Sequence, residues 1–286
     1  MYQLKNMEIL TTRKSVAEKV GDLKQNGYSI GLVPTMGALH EGHGSLVHKA
    51  LSENDKVIVS IFVNPTQFND PEDLKKYPRT LEKDLQMLQG MHVDFVFAPE
   101  SEEMYPEEDK RKFELYPLDS VMEGLFRKNH FNGVAQIVTK LFDAVKPDRA
   151  YFGKKDFQQL VIIKRLVTIM EYNISIVPCP IIREPDGLAM SSRNVLLSAE
   201  ERKAAPFISQ ILFKAKALKE TLSPEEIRQW VVDQFNKQQV FALDYFEIVD
   251  DLELKRITDW SDQVTKVGCI AVQIGRIRLI DNIIFD

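Results

Sequence analysis

The chain has 286 residues, 44% of them hydrophobic and 28% charged, the balance of a globular protein long enough for one large domain or two unequal ones. Its net charge of −5 offers no basic footprint for nucleic acid, so no nucleic-acid partner is expected and any phosphate binding has to be local. The stretch after Met1-Tyr-Gln-Leu-Lys-Asn-Met7 is not apolar for long enough to make a signal or a membrane span, which predicts no membrane partner and a cytoplasmic location.

In chain order, strand-like apolar runs occupy residues 29–33, 56–63, 93–98, 149–152 and 174–178, with helical patterns at 45–53, 79–89, 133–145 and 155–171. Apolar strands alternating with amphipathic helices predict an α/β fold, a Rossmann-like doubly wound parallel sheet whose ligands collect outside the carboxyl ends of the strands. After Arg183 the pattern changes. Residues 198–222 and 223–239 read as helices, with Ser223 and Glu226 spaced as a capping box. Strands follow at 244–249, 267–274 and 276–280, with Gly275 as a turn. The expected organisation is a Rossmann-like domain over residues 1–183 and a smaller C-terminal α+β lid domain over 184–286. Cys179 and Cys269 lie in apolar runs without metal-ligand or redox spacing and read as buried free thiols. The acidic cluster at residues 100–109 reads as a solvated loop.

Four segments carry the chemistry. Pro34-Thr-Met-Gly-Ala-Leu-His-Glu-Gly-His43 leaves the first strand, turns on Gly37 and opens a helix with two histidines around Gly42. Exposed N–H groups and the positive end of the helix dipole make such a position an anion site, and a glycine there admits close backbone approach. Ser60-Ile-Phe-Val-Asn-Pro-Thr-Gln-Phe68 breaks at Pro65 and brings Asn64 and Gln67 to the same sheet edge. These neutral amides suit a substrate with hydroxyls and a carboxylate, or else satisfy turn backbone. In Gly153-Lys-Lys-Asp-Phe-Gln-Gln159 a lysine pair opens a helix, which is unfavourable unless an anion is present; a solvated cap is the alternative. In Ile181-Ile-Arg-Glu-Pro-Asp-Gly-Leu-Ala-Met-Ser-Ser-Arg-Asn194 a polar loop ends in two hydroxyls and a guanidinium, a set that can close over a triphosphate or simply cap a helix.

Taken together, these segments resemble the His-x-Gly-His nucleotidyltransferase superfamily that includes the class I aminoacyl-tRNA synthetases, and within it the pantothenate synthetases (pantoate–β-alanine ligases). The resemblance runs over almost the whole chain. It implies an AMP-forming acid–amine ligase that joins (R)-pantoate to β-alanine through a pantoyl adenylate, releasing AMP and pyrophosphate. It implies His40, His43, Lys155 and Arg193 as catalytic residues. Residues Met36, Gly37, Ala38, Leu39, His40, Glu41, Gly42 and His43 would line the ATP pocket, together with Gly153, Lys154, Lys155 and Asp156. Ile182, Met190, Ser191, Ser192 and Arg193 complete that pocket, the last four matching the mobile loop that class I synthetases write as Lys-Met-Ser-Lys-Ser. Gln67, Gln159 and Asn64 would bind the pantoate and β-alanine substrates, the two glutamine amides holding pantoate. ATP enters as substrate with Mg²⁺, for which the sequence identifies no protein carboxylate, and a homodimer is expected. Lys154 stands where the family usually has glutamate, Gly44 where a bulkier residue is usual and Thr66 where methionine is common.

Two other functions share parts of this pattern. A nucleotidyltransferase that stops at an adenylated or cytidylated phosphate should lack the Gln67 and Gln159 pair. A nucleotide sensor of the same fold need not keep His40, His43, Lys155 and Arg193 around a leaving pyrophosphate.

Overall fold

The structure, a computed structural model, describes residues 7–285. It begins with β1 (Glu8–Leu10), α1 (Arg13–Gln25), β2 (Ile30–Thr35), α2 (Glu41–Glu53), β3 (Lys56–Ile61), α3 (Pro71–Lys76), α4 (Leu81–Gly90), β4 (Phe95–Phe97) and α5 (Ser101–Met104). It continues with α6 (Glu123–Phe126), α7 (His130–Val145), β5 (Arg149–Gly153), α8 (Phe157–Ile169) and β6 (Ser175–Cys179). Last come α9 (Ala199–Ala204), α10 (Phe207–Ala217), α11 (Pro224–Asn236), β7 (Phe241–Asp250), β8 (Lys266–Ile274) and β9 (Ile277–Ile284). These elements form two compact units. One runs through Leu115 and takes in Arg127–Lys154 and Ile162–Pro180; the other gathers Tyr116–Phe126, Lys155–Val161 and the chain from Ile181 onward.

The first unit holds a six-stranded sheet in the order β1-β4-β3-β2-β5-β6, all pairs parallel. Ile30, Leu32 and Val33 of β2 and Val57, Ile58 and Val59 of β3 are fully buried, the continuous apolar runs of strands covered on both faces. From β2 the chain builds outward through β3 and β4, then returns to the other side of β2 as β5 and β6. The topological switch point therefore lies between β2 and β5, and the crevice for ligands outside their carboxyl ends. Helix α7 is buried nearly all round, its polar residues Asn132, Gln136, Lys140 and Asp143 confined by their spacing to one narrow stripe.

Several boundaries differ from the expected ones for local reasons. The strand expected over 56–63 stops at Ile61, and Pro65–Gln67 form a short 3₁₀ turn. Strand β1 and helix α1 have no counterpart among the expected elements: β1 has three residues, and α1 buries only Val16 and Val20, too sparse a pattern to show periodicity. Cys179 ends β6, where burial pushes its thiol up to about 11, so it is an inert thiol.

The second unit carries the antiparallel sheet β7-β8-β9, packed with α10 and α11 around Ile211, Leu212, Ile227, Val231, Phe246, Ile270 and Phe285. The helix expected over 198–222 is broken between α9 and α10, where Pro206 lacks the N–H that would continue it. The expected capping box is present: Ser223 Oγ accepts from Glu226 N (3.3 Å), and Glu226 Oε2 accepts from Ser223 N (2.8 Å). Strand β9 runs to Ile284 rather than 280, because its polar pair Asp281 and Asn282 is buried rather than terminal. Cys269, in β8, is also buried and free. No helix among the described residues is long and apolar enough to cross a membrane.

Candidate active site

The turn after β2 is built by hydrogen bonds that its sequence only partly announces. Gly37 (φ 78°) and Ala38 (φ 49°) are both left-handed, and a Cβ on Gly37 would meet Asp84 Oδ2 at 3.0 Å, so glycine alone suits that position. Asp84, 2% exposed in the first turn of α4, accepts from Ala38 N (2.9 Å) and Leu39 N (2.8 Å). Thr80 Oγ1 donates to the same carboxylate at 3.1 Å. A buried carboxylate thus replaces the missing strand ladder and fixes a backbone that leaves β2 against its own preference. Sequence reasoning passed over Asp84; its only sequence signal is an acid at a helix start, which usually reads as a complement to the dipole.

That turn delivers His40 as the cap of α2. His40 Nδ1 accepts from Gly42 N (3.1 Å), and His43 Nδ1 accepts from His40 N (3.3 Å), a reciprocal capping box made of two imidazoles. The ring centroids lie 4.1 Å apart. An Nδ1 that accepts an N–H cannot carry a proton, so in both rings the proton sits on Nε2, the donor end. The box fixes both tautomers as well as both ring positions.

The amides follow from β3. Pro65 ends the strand, and α7 presses on the resulting 3₁₀ turn so closely that a Cβ on Gly133 would lie 2.3 Å from Thr66 O. Gln67 Nε2 donates to Met36 Sδ at 3.0 Å, which places this amide against the histidine turn. Asn64, 1% exposed, donates to Gln67 Oε1 (3.2 Å) and Gly133 O (3.1 Å) and accepts from Tyr105 Oη (2.7 Å) and Thr66 Oγ1 (3.1 Å). With both donors and both acceptor positions taken by protein, Asn64 orients Gln67 from behind. The carbonyl of Gln67 accepts from His130 Nδ1 (2.8 Å) and Arg127 Nη2 (3.4 Å).

Tyr105 closes this support, its phenol pushed by burial up to about 12, and Lys140 Nζ lies 4.9 Å from its ring centroid. Lys140 also pairs with Asp109 (3.2 Å), as does Arg111 (2.6 Å). Asp109, at the end of the acidic run expected to be solvated, is therefore a paired side chain, only 4% exposed. The Arg111 guanidinium hydrogen-bonded to it, joined by Lys140, holds its carboxyl well below the usual range. A lowered carboxyl stabilises the fold above its unfolded pKa of about 3.9 and loses that contribution as acid titrates it. Asp109→Asn should thus lower the melting temperature at pH 7, with the gap to wild type narrowing toward pH 3. Melting curves with the same gap at both pH values would remove this role.

The remaining expected residues fall as follows. Gly153 ends β5 opposite Cys179, and Lys154 N donates to Cys179 O at 2.8 Å, so both stand at the carboxyl end of the strand next to β2. Lys155, Asp156 and Gln159 belong to the second unit. Helix α8 starts at Phe157, two residues later than expected. Its Gln158, not Gln159, is the buried amide, donating to Leu118 O and Val121 O. Ile182, Met190, Ser191, Ser192 and Arg193 lie on a short hairpin in the same unit: Arg183 bridges Ala189, and Met190 N donates to Ile182 O (3.0 Å). Beyond it Asn194 Nδ2 donates to Ala189 O (3.1 Å), and Ser191 Oγ accepts from Arg193 N (3.3 Å). The described residues contain no group of three or more His, Cys, Asp or Glu placed to hold a metal ion.

Comparison with known proteins gives a consistent result. The sequence profile of the pantoate-beta-alanine ligase family matches residues 8–284. The pantothenate synthetase of Bacteroides thetaiotaomicron is 53% identical over 277 residues, covering 97% of this chain and 98% of its own. That of Phocaeicola vulgatus is 55% identical over 278 residues, covering 97% and 99%. Among solved structures, pantothenate synthetase from Thermus thermophilus superposes with a TM-score of 0.90 at 40% identity, covering 97% of this chain and 99% of that one. A pantoate-beta-alanine ligase from Francisella tularensis, solved with beta-gamma ATP and beta-alanine, gives 0.79 at 37% identity, covering 98% of each chain.

Proposed function

The chain is an enzyme of the pantoate-beta-alanine ligase family, and from that premise we propose that it activates (R)-pantoate as an acyl adenylate and passes the acyl group to β-alanine. The pantoate carboxylate oxygen attacks the α-phosphorus of ATP as the bond to the pyrophosphate oxygen breaks. The β-alanine amine then attacks the acyl carbon, AMP leaves, and the amine loses a proton to give pantothenate. Both steps move negative charge onto phosphate oxygens, so they call for fixed donors and cations rather than a nucleophilic side chain. His40 and His43 supply Nε2–H donors and Lys155 and Arg193 the positive charge. Met36 to His43, Gly153 to Asp156, Ile182 and Met190 to Arg193 form the ATP site. Gln67 and Gln159 hold pantoate, with Asn64 keeping Gln67 in place. Mg²⁺ comes in on the ATP phosphates, which commonly provide most of its ligands.

The observation that carries this proposal is the imidazole capping box at the carboxyl end of β2, beside the switch point, with Gln67 bonded to Met36 of the same turn. A substrate amide next to a phosphate-binding turn is what an acid-activating enzyme needs. The ATP and β-alanine named for the Francisella protein support the same substrates here. A homodimer in the cytoplasm belongs to the proposal by family resemblance.

Labelled pyrophosphate should exchange into ATP when pantoate is present and β-alanine absent. Gln67→Ala should raise the pantoate requirement more than the ATP requirement, because a hydroxyl or carboxylate left without its partner costs about 1–3 kcal/mol. Pantoate-independent exchange, or an adenylated phosphate ester as end product, would place the enzyme with the simple nucleotidyltransferases.

A further inference from the structure

Two parts of the proposed phosphate machinery in the second unit, Lys155 at the start of α8 and the hairpin carrying Met190 to Arg193, hang on neighbouring residues of β9. Asn282 Nδ2 donates to Lys155 O at 2.9 Å. Its neighbour Asp281 receives Arg183 bidentately, from Nη1 at 2.6 Å and Nη2 at 3.0 Å, and accepts from Asn282 N at 2.8 Å. Arg183 in turn donates to Gly187 O (3.1 Å), inside the hairpin, and to Asn282 O (3.4 Å). Asp281 and Asn282 are both about 4% exposed. A buried polar pair in an apolar strand is costly unless every group is satisfied. Here the partners are the backbone of one phosphate residue and the base of the loop bearing the others.

Resting on the assignment of Lys155 to the ATP phosphates, we propose that Asn282 is a positioning residue for the adenylation step, locking the Lys155 main chain to the strand that also anchors Arg183 and its hairpin. In this role Asn282 works through the Lys155 main chain. It acts by holding Lys155 in register with Ser191, Ser192 and Arg193, the kind of placement in which a shift of about 1 Å costs up to about a hundredfold in rate.

The test is a double-mutant cycle read by pantoate-dependent pyrophosphate exchange in wild type, Lys155→Ala, Asn282→Ala and the double variant. Asn282→Ala alone should slow exchange roughly tenfold to a hundredfold with folding intact by circular dichroism. In the Lys155→Ala background the same substitution should change nothing further. A residue that merely stabilised the fold would lose the same factor in both backgrounds, and that result overturns the proposal. If Asn282→Ala does not fold, Asn282→Ser, too short to reach the carbonyl, takes its place in the same cycle. A Lys155→Ala enzyme at the wild-type rate removes the assignment of Lys155 and this inference with it. A crippled Lys155→Ala beside an unimpaired Asn282 variant removes this inference alone.

Discussion

Replacing His43 by alanine is expected to slow adenylation by about 10²–10³-fold, the cost of removing one fixed donor from a developing oxyanion, while the protein stays folded. The structure adds a stability effect to this kinetic one. His43 Nδ1 is the acceptor for His40 N, so the variant also loses half of a cap, worth about 1 kcal/mol. His40→Ala should show the same two effects, because His40 Nδ1 accepts from Gly42 N. Quenched-flow measurement of adenylate formation reports the first effect and a thermal melt the second. A folded His43→Ala protein with a near-wild-type rate would end the assignment of the histidines.

Asp84→Ala is expected to have the largest effect on stability, at about 2–4 kcal/mol, since two N–H groups and a hydroxyl lose a charged partner. The N–H groups of Ala38 and Leu39 would then lack their acceptor, and the left-handed turn at Gly37 and Ala38 would relax toward ordinary backbone angles. The imidazole pair rides on that turn, so exchange activity should fall with the melting temperature. Asp84→Asn should lie between, because its carbonyl can take one N–H while its amide faces the other. An unchanged melting temperature for Asp84→Ala would show that the turn stands without it.

What the sequence revealed of this site was what lies close together along the chain. The two histidines, the Gly37 turn and the Asn64 to Gln67 turn each fit within a dozen residues, and the strand before each sets the sheet edge where they emerge. Asp84 supports Ala38 from 46 residues away, and nothing in an amphipathic helix marks one acid as buried. Asp109 failed to stand out for the same reason: the charges beside it look solvated, and its partner Lys140 lies on α7. The last strand looked finished at residue 280 because Asp281 and Asn282 resemble a turn. Their partners Arg183 and Lys155 are separated from them by most of the second unit's sequence. A polar pair flanked on both sides by apolar strand residues was the available signal.

The second unit's borrowed segments bear on how this chain could be cut or exchanged. Residues from Ile181 onward look like a cassette, yet Arg278 is paired with Glu123 (2.5 Å), Tyr245 donates to Glu123 (3.0 Å), and Asn282 holds Lys155. A fragment taken at the apparent boundary would leave a guanidinium and a phenol facing positions vacated by α6. The C-terminal third is therefore no portable lid that recombination could move intact between enzymes. It can be inherited only together with Tyr116–Phe126 and Lys155–Val161, two short stretches that precede it in the sequence.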